Sequence, residues 1–243
     1  MTGAAGASSG PPCRGARDRG ASAPSFLVLL CTACLVGVYY ALRADVIGVY
    51  SPSRGWVPMT YPPLDVARHC MAAVLVLGIA PVAAARLSTG FSLGELGLGL
   101  GRGREGARWL AVGLPLAVLA GWVGSHSAAL RAVYPLDAGL DADPGRFLPY
   151  ALVQLGYFAS WEVLFRGVLL FALRPRTGAG LANALQTALS VTAHFGRALD
   201  ETGAALGAGV VFGWVAMRTG SVWYGAVIHW VVGVSQDWFV VNR

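Results

Sequence analysis

The sequence predicts an all-α, polytopic membrane helix bundle with about seven transmembrane helices. Three observations carry that reading. The chain of 243 residues is 56% hydrophobic and only 12% charged, about half the charged share of a soluble domain. Its apolar residues are gathered into long runs, several of which approach the roughly 20 residues needed to cross a bilayer. Its 18 basic residues are all arginine and lie mostly between those runs.

Residues 1–24 are mainly Gly, Ala, Ser, Pro and Arg, with almost nothing to bury, and are expected to be a disordered N-terminal tail. Residues 25–243 are expected to form a single membrane-embedded helical domain. The first apolar run, 25–42, is too long for a signal peptide and has no clear cleavage pattern, so it reads as the first spanning helix. Further runs follow at about 67–87, 107–130, 150–173, 180–197, 203–217 and 221–241. Those at 180–197 and 203–217 are short and rich in Gly and Ala, the composition of helices packed closely among others.

The loops suggest an orientation. With the N-terminus inside, the inner loops carry Arg14, Arg17, Arg19, Arg86, Arg102, Arg104, Arg108, Arg174, Arg176 and Arg218. The outer loops hold Asp45, Asp65, Asp137, Asp141 and Asp143. This alternation follows the positive-inside rule and places the N-terminus in the cytoplasm. It also accounts for the net charge of +6 without a nucleic-acid partner. The expected partner is the lipid bilayer, with Arg102, Arg104 and Arg108 at anionic headgroups. The lack of lysine reads as a high-GC coding bias. Cys31 and Cys34 form a C-x-x-C inside an apolar run with no second pair, and read as small apolar helix residues.

Ionisable groups within apolar spans are costly and are functional candidates by default. Glu162 and Arg166 are spaced i, i+4 on one helix face. They are either an ion pair that fixes packing or a carboxylate held for acid–base work. His194 lies near the end of the fifth run, with Asp200 and Glu201 just beyond. His229 lies in the seventh, on one face with Gly225, Gly233 and Asp237. Glu162, His194 and His229 suit two chemistries. A carboxylate can deprotonate water while one imidazole orients it and the other stabilises the oxyanion. Alternatively, two His and one Glu can hold one divalent metal, zinc above all, with a position open. Spacing does not choose, so the cofactor is either none or one metal. His69, at the start of the second run, and His126, in the third, read as structural or interfacial.

The late helices resemble the CPBP intramembrane proteases, which include the type II CAAX prenyl endopeptidases and Abi-like proteins. That family carries E-E-x-x-x-R, F-x-x-x-H and H-x-x-x-N on successive core helices. Here W-E-V-L-F-R-G (161–167) matches the first motif, S-V-T-A-H (190–194) the second, and the run 218–229 the approach to the third and its His. The G-E-L-G-L-G-L-G-R-G run (94–103) is also similar. The resemblance spans roughly 91–243 and is strongest over 150–243, the expected catalytic core. Trp161 stands in place of the first Glu, Ser190 of the Phe, and Gly233 of the Asn. A single-Glu bacterial branch with H-x-G-[KR]-x-x-x-E-T is matched by H-F-G-R-A-L-D-E-T (194–202). There Glu201 either supplies the missing carboxylate or caps the next helix.

The resemblance implies an intramembrane endopeptidase acting on a membrane-associated protein or peptide, with prenylation left open. Glu162, Arg166, His194 and His229 are its expected catalytic residues, with Glu201 and Asp237 in support. The expected location is the bacterial plasma membrane. The departures leave a second reading, a catalytically inactive scaffold or immunity protein. One geometric difficulty stands. Glu162 lies about 18 Å into its span from the outer side, whereas His194 falls nearer the outer end.

Overall fold

The computed structural model describes residues 25–42, 50–51, 55–56, 63–137, 139–141, 143–194 and 197–243. The expected tail at 1–24 and Asp45 lie outside them. The regular structure of the described chain is helical except for a two-residue antiparallel pairing of β1, Tyr50–Ser51, with β2, Gly55–Trp56. Its helices are α1 (Ser25–Leu42), α2 (Pro63–Ala73), α3 (Ala80–Thr89), α4 (Gly103–Gly124), α5 (Ala128–Arg131), α6 (Phe147–Glu162), α7 (Leu170–Thr192), α8 (Leu199–Thr219) and α9 (Trp223–Val241). Two wider π-helical stretches, Val74–Ile79 and Val163–Leu169, join α2 to α3 and α6 to α7.

Three described segments are long and apolar enough to cross a membrane: Val66–Ser88, Gly103–Gly124 and the 46-residue Phe147–Thr192. The last holds the fourth and fifth expected spans as two helical arms. It bends at Gly178, whose φ of 79° and ψ of 165° break the helix two residues after Arg176. Helical structure thus falls over all seven expected runs. Length and hydropathy make those three segments candidate spans.

The surface is apolar and the interior holds the polar groups. Leu75, Ile79, Val112, Leu116, Leu148 and Val210 face outward. Glu162, Arg166, Gln154, Gln186, Ser190 and Asp237 are buried. Water would favour the reverse arrangement, and hydrocarbon favours this one.

Helix α4 lies against α9 because its glycines let the backbones approach. A Cβ at Gly106 would fall inside the Tyr224 ring, one at Gly113 would strike Ile228, and one at Gly121 would lie 2.8 Å from the Val232 carbonyl oxygen. Gly207 in α8 has open space instead. Gly121→Val is therefore expected to cost about 1–3 kcal/mol by overpacking, read as a lower Tm in detergent. Gly207→Val is the control. An equal loss at both positions would mean that close approach is not what Gly121 secures.

The glycine-rich stretch before α4 clamps the α8–α9 junction. The Val222 amide donates to the Gly97 carbonyl at 2.9 Å and the Arg102 amide to the Thr219 carbonyl at 2.7 Å. The Trp223 indole donates to the Leu98 carbonyl at 2.8 Å. Arg102, Arg104 and Arg218 thereby gather at one end of the bundle. The opposite end carries the described residues of 125–146, His194 and the start of α8, with Ser127 Oγ donating to Asp200 Oδ2 at 2.6 Å.

Candidate functional site

The site begins where α6 widens. The π-helical stretch starts at Val163, directly after Glu162, and contains Arg166. Every residue from Ser160 to Leu170 is buried. Such stretches recur at functional sites because one turn is re-aimed without ending the helix. The spacing of Glu162 and Arg166 was legible in the sequence, but no residue pattern announced the change of pitch.

Glu162 is fully buried. Its Oε1 accepts a hydrogen bond from His229 Nδ1 at 2.9 Å. Arg166 Nη1 lies 3.1 Å from the same oxygen. That contact lacks hydrogen-bonding angles, so it is a coulombic pairing. It leaves Arg166 Nε and Nη1 with no hydrogen-bond acceptor among the described residues. The second carboxylate oxygen, Oε2, is buried with no hydrogen-bond partner among the described residues. It faces Gly225, where a Cβ would come within 3.5 Å of it.

His229 is wedged between aromatic rings, with centroids 4.7 Å from Phe158 and 5.6 Å from Phe212. Gly233 makes this possible, since a Cβ there would lie 2.4 Å from Phe158 Cζ. The place expected for an asparagine side chain is thus taken by the Phe158 ring.

His194 lies in the turn beyond Thr192, the last residue of α7, and not on a fifth spanning helix as expected. Its Nδ1 donates to the Ser190 carbonyl at 2.7 Å, in the tautomer a carbonyl partner requires. This folds the ring back one turn, edge-on to Trp161 at 5.1 Å. The apparent difference in depth between Glu162 and His194 is thereby reduced. Burial first, and the neighbouring Arg197 charge second, push His194 down to about 4. It is therefore neutral at neutral pH, with Nε2 free to accept a hydrogen bond. No described hydrogen bond joins His194 to Glu162 or His229.

Trp161 and Ser190, each a departure from the family motif, touch one another. The Trp161 indole donates to Ser190 Oγ at 3.2 Å. The Ser190 hydroxyl thus satisfies the buried indole N–H. The sequence showed both departures, but their pairing needed the fold. Ser190→Ala should leave that N–H buried without an acceptor and cost about 1–3 kcal/mol. The check is chemical denaturation of Ser190→Ala, Trp161→Phe and the double variant. A serine effect that persists in the Trp161→Phe background would rule out this contact as its source.

The other candidates lie apart. Glu201 accepts hydrogen bonds from Arg197 Nη1 at 2.7 Å and from the Tyr134 hydroxyl at 3.1 Å. Asp237 accepts from the Tyr150 hydroxyl at 2.6 Å. Tyr150 in turn accepts from Gln154 at 3.0 Å, and Gln154 from Cys70 at 3.3 Å. Asp237 therefore ends a separate buried chain of donors. His69 is buried, hydrogen-bonded to Tyr39 and stacked on Tyr157. His126 is exposed beside Trp122. Cys31 and Cys34 are exposed and unbridged on α1.

A metal does not fit this arrangement. Among the described residues no three His, Cys, Asp or Glu side chains cluster as ligands. The one oxygen shared by Glu162 and His229 already faces the Arg166 cation.

An apolar helical exterior with a buried carboxylate, imidazole and guanidinium defines a membrane protein with an embedded polar site. Residues 144–235, from just before α6 to most of α9, match the family described as Type II CAAX prenyl endopeptidase Rce1-like. This part of the chain is thus similar to that family, and α1 to α5 lie outside the match. Neither the curated proteins nor the solved structures provide a match.

Proposed function

We propose that the late-helix core hydrolyses a peptide bond of a membrane-associated protein or peptide, with Glu162 as the base. The observation that carries this reading is the asymmetry of its carboxylate. Oε1 is engaged by His229 and Arg166, while Oε2 is buried and unengaged. In hydrocarbon an ionised carboxylate needs a compensating charge, and Arg166 supplies it. His229 aims the group.

In this mechanism Oε2 takes a proton from water as the water oxygen bonds to the substrate carbonyl carbon. The carbonyl π electrons move to oxygen. Arg166, with N–H donors unspent inside a low-dielectric site, stabilises that oxyanion. Collapse restores the carbonyl, breaks the C–N bond and passes the proton from Glu162 to the leaving amine. His194 Nε2 accepts a hydrogen bond from the water. His229 donates Nδ1–H to Glu162, which leaves Nε2 without a proton in the neutral ring. Orienting Glu162 therefore suits it better than the oxyanion role expected from the sequence.

A second reading, a silent family member, draws on Trp161 and Phe158 occupying the places of the family's Glu and Asn side chains. Purified chain in liposomes, given membrane-tethered reporter peptides with and without a prenyl group, separates the two. Cleavage that disappears in Glu162→Gln supports the protease. Cleavage that survives the substitution removes Glu162 from the chemistry, and no cleavage of any reporter favours the silent reading. The positive-inside pattern motivates placing the protein in a bacterial plasma membrane with its arginine-rich end in the cytoplasm.

A further inference from the structure

Beyond the bilayer-embedded core, one polar cluster binds together three segments at the end opposite the arginine-rich one. Arg197 Nη1 contacts both Glu201 Oε1 and the Tyr134 hydroxyl, and that hydroxyl donates to the same Glu201 oxygen. The three groups close a triangle. Arg197 and Glu201 side chains are only 19% and 20% exposed. Burial raises Tyr134 well above the usual phenol range, so it stays a donor.

The triangle is wired to His194 through the backbone. The His194 carbonyl accepts from the Arg197 amide at 3.0 Å and from Thr202 Oγ1 at 3.1 Å. Thr202 Oγ1 also contacts the Ala198 carbonyl at 3.2 Å. At the other end of the turn, the His194 ring is tied to the Ser190 carbonyl. His194 is thus tied through both its ring and its carbonyl, and the spacing R-x-x-x-E-T within H-F-G-R-A-L-D-E-T has a geometric reason.

We infer that Arg197, Tyr134 and Glu201 are positioning residues that hold the His194 imidazole toward the site, and that Glu201 is not a second catalytic carboxylate. The inference rests on the reading of His194 as a site residue. Glu201 Oε1 is occupied by two donors, and its partners lie in the turn and in the 125–137 segment, not beside Glu162.

The conservative variant separates positioning from chemistry. In Glu201→Gln the side chain still accepts from Arg197 and Tyr134 but cannot take a proton. The full chain, labelled with 15N-histidine in detergent, is compared as wild type, Glu201→Gln, Glu201→Ala and Tyr134→Phe, with His194→Gln to assign the signal. Wild type and Glu201→Gln are expected to show His194 as one tautomer, protonated at Nδ1. Glu201→Ala and Tyr134→Phe are expected to show a mixture. An unchanged His194 tautomer in Glu201→Ala overturns the proposal.

Activity supplies the second arm, on a tethered reporter peptide that wild type cleaves. Glu201→Ala should lower kcat about tenfold with little change in KM, and Glu201→Gln about threefold at most, since small misplacements of a catalytic group carry losses of this order. A Glu201→Gln variant as inactive as Glu162→Gln would assign Glu201 to the chemistry and overturn the inference. Full activity in Glu162→Gln would instead defeat the protease reading, while the tautomer comparison still decides whether the triangle holds His194.

Discussion

Glu162→Gln is expected to lower peptide hydrolysis by about a thousandfold or more, the combined scale of losing a positioned base and its field. Glutamine keeps the shape, and its carbonyl oxygen can still accept from His229 Nδ1. It cannot take the proton that Oε2 is aimed to receive beside Gly225. It also leaves Arg166 buried without a counter-charge, so the loss must be measured per folded molecule. Single-turnover cleavage by the monodisperse fraction, with Tm recorded alongside, makes that correction. Activity within tenfold of wild type would remove Glu162 from the proton transfer.

The second large effect is on stability. Glu162 and Arg166 are 0% and 2% exposed. Removing either partner strands a charge in low dielectric, at a cost of about 3–5 kcal/mol. Arg166→Met and Glu162→Gln should each show that loss on unfolding. The double variant should recover most of it while remaining inactive, because replacing a whole buried pair is often nearly neutral. Additive losses would mean that the two side chains are not energetically coupled. The cycle also separates the pair's part in folding from its part in catalysis.

Much of the fold was legible in the sequence, because hydrocarbon demands long apolar runs and strands polar groups where they show. Helical structure falls within each expected run, and α1 begins and ends at the residues expected. The i, i+4 pairing of Glu162 with Arg166 also followed from spacing. What could not be read were relations between distant segments. The turn at His194, the Phe158 ring over Gly233 and the Trp161–Ser190 contact depend on how α6, α7 and α9 are set against one another. The π-helical pitch after Glu162 leaves no periodic mark in a run that is apolar on all sides. Asp237 shared a helix face with His229, but eight residues along a helix is about 12 Å, and Asp237 accepts from Tyr150 instead.

The bend at Gly178 has a mechanical meaning. Trp161, Glu162, Arg166 and Ser190 all belong to the single 46-residue Phe147–Thr192 segment, folded back on itself, with His194 just past its end. His229 alone arrives from another segment. The constellation is therefore divided along one seam, between α6 and α9. That seam is riveted by the Trp230 indole donating to the Ala151 carbonyl at 2.7 Å and by Phe158 seated over Gly233. Tilting the hairpin would carry its residues together as one tool. Sliding α9 by a single helical turn, about 5.4 Å, would take His229 beyond the reach of Glu162 and leave the rest of the tool intact.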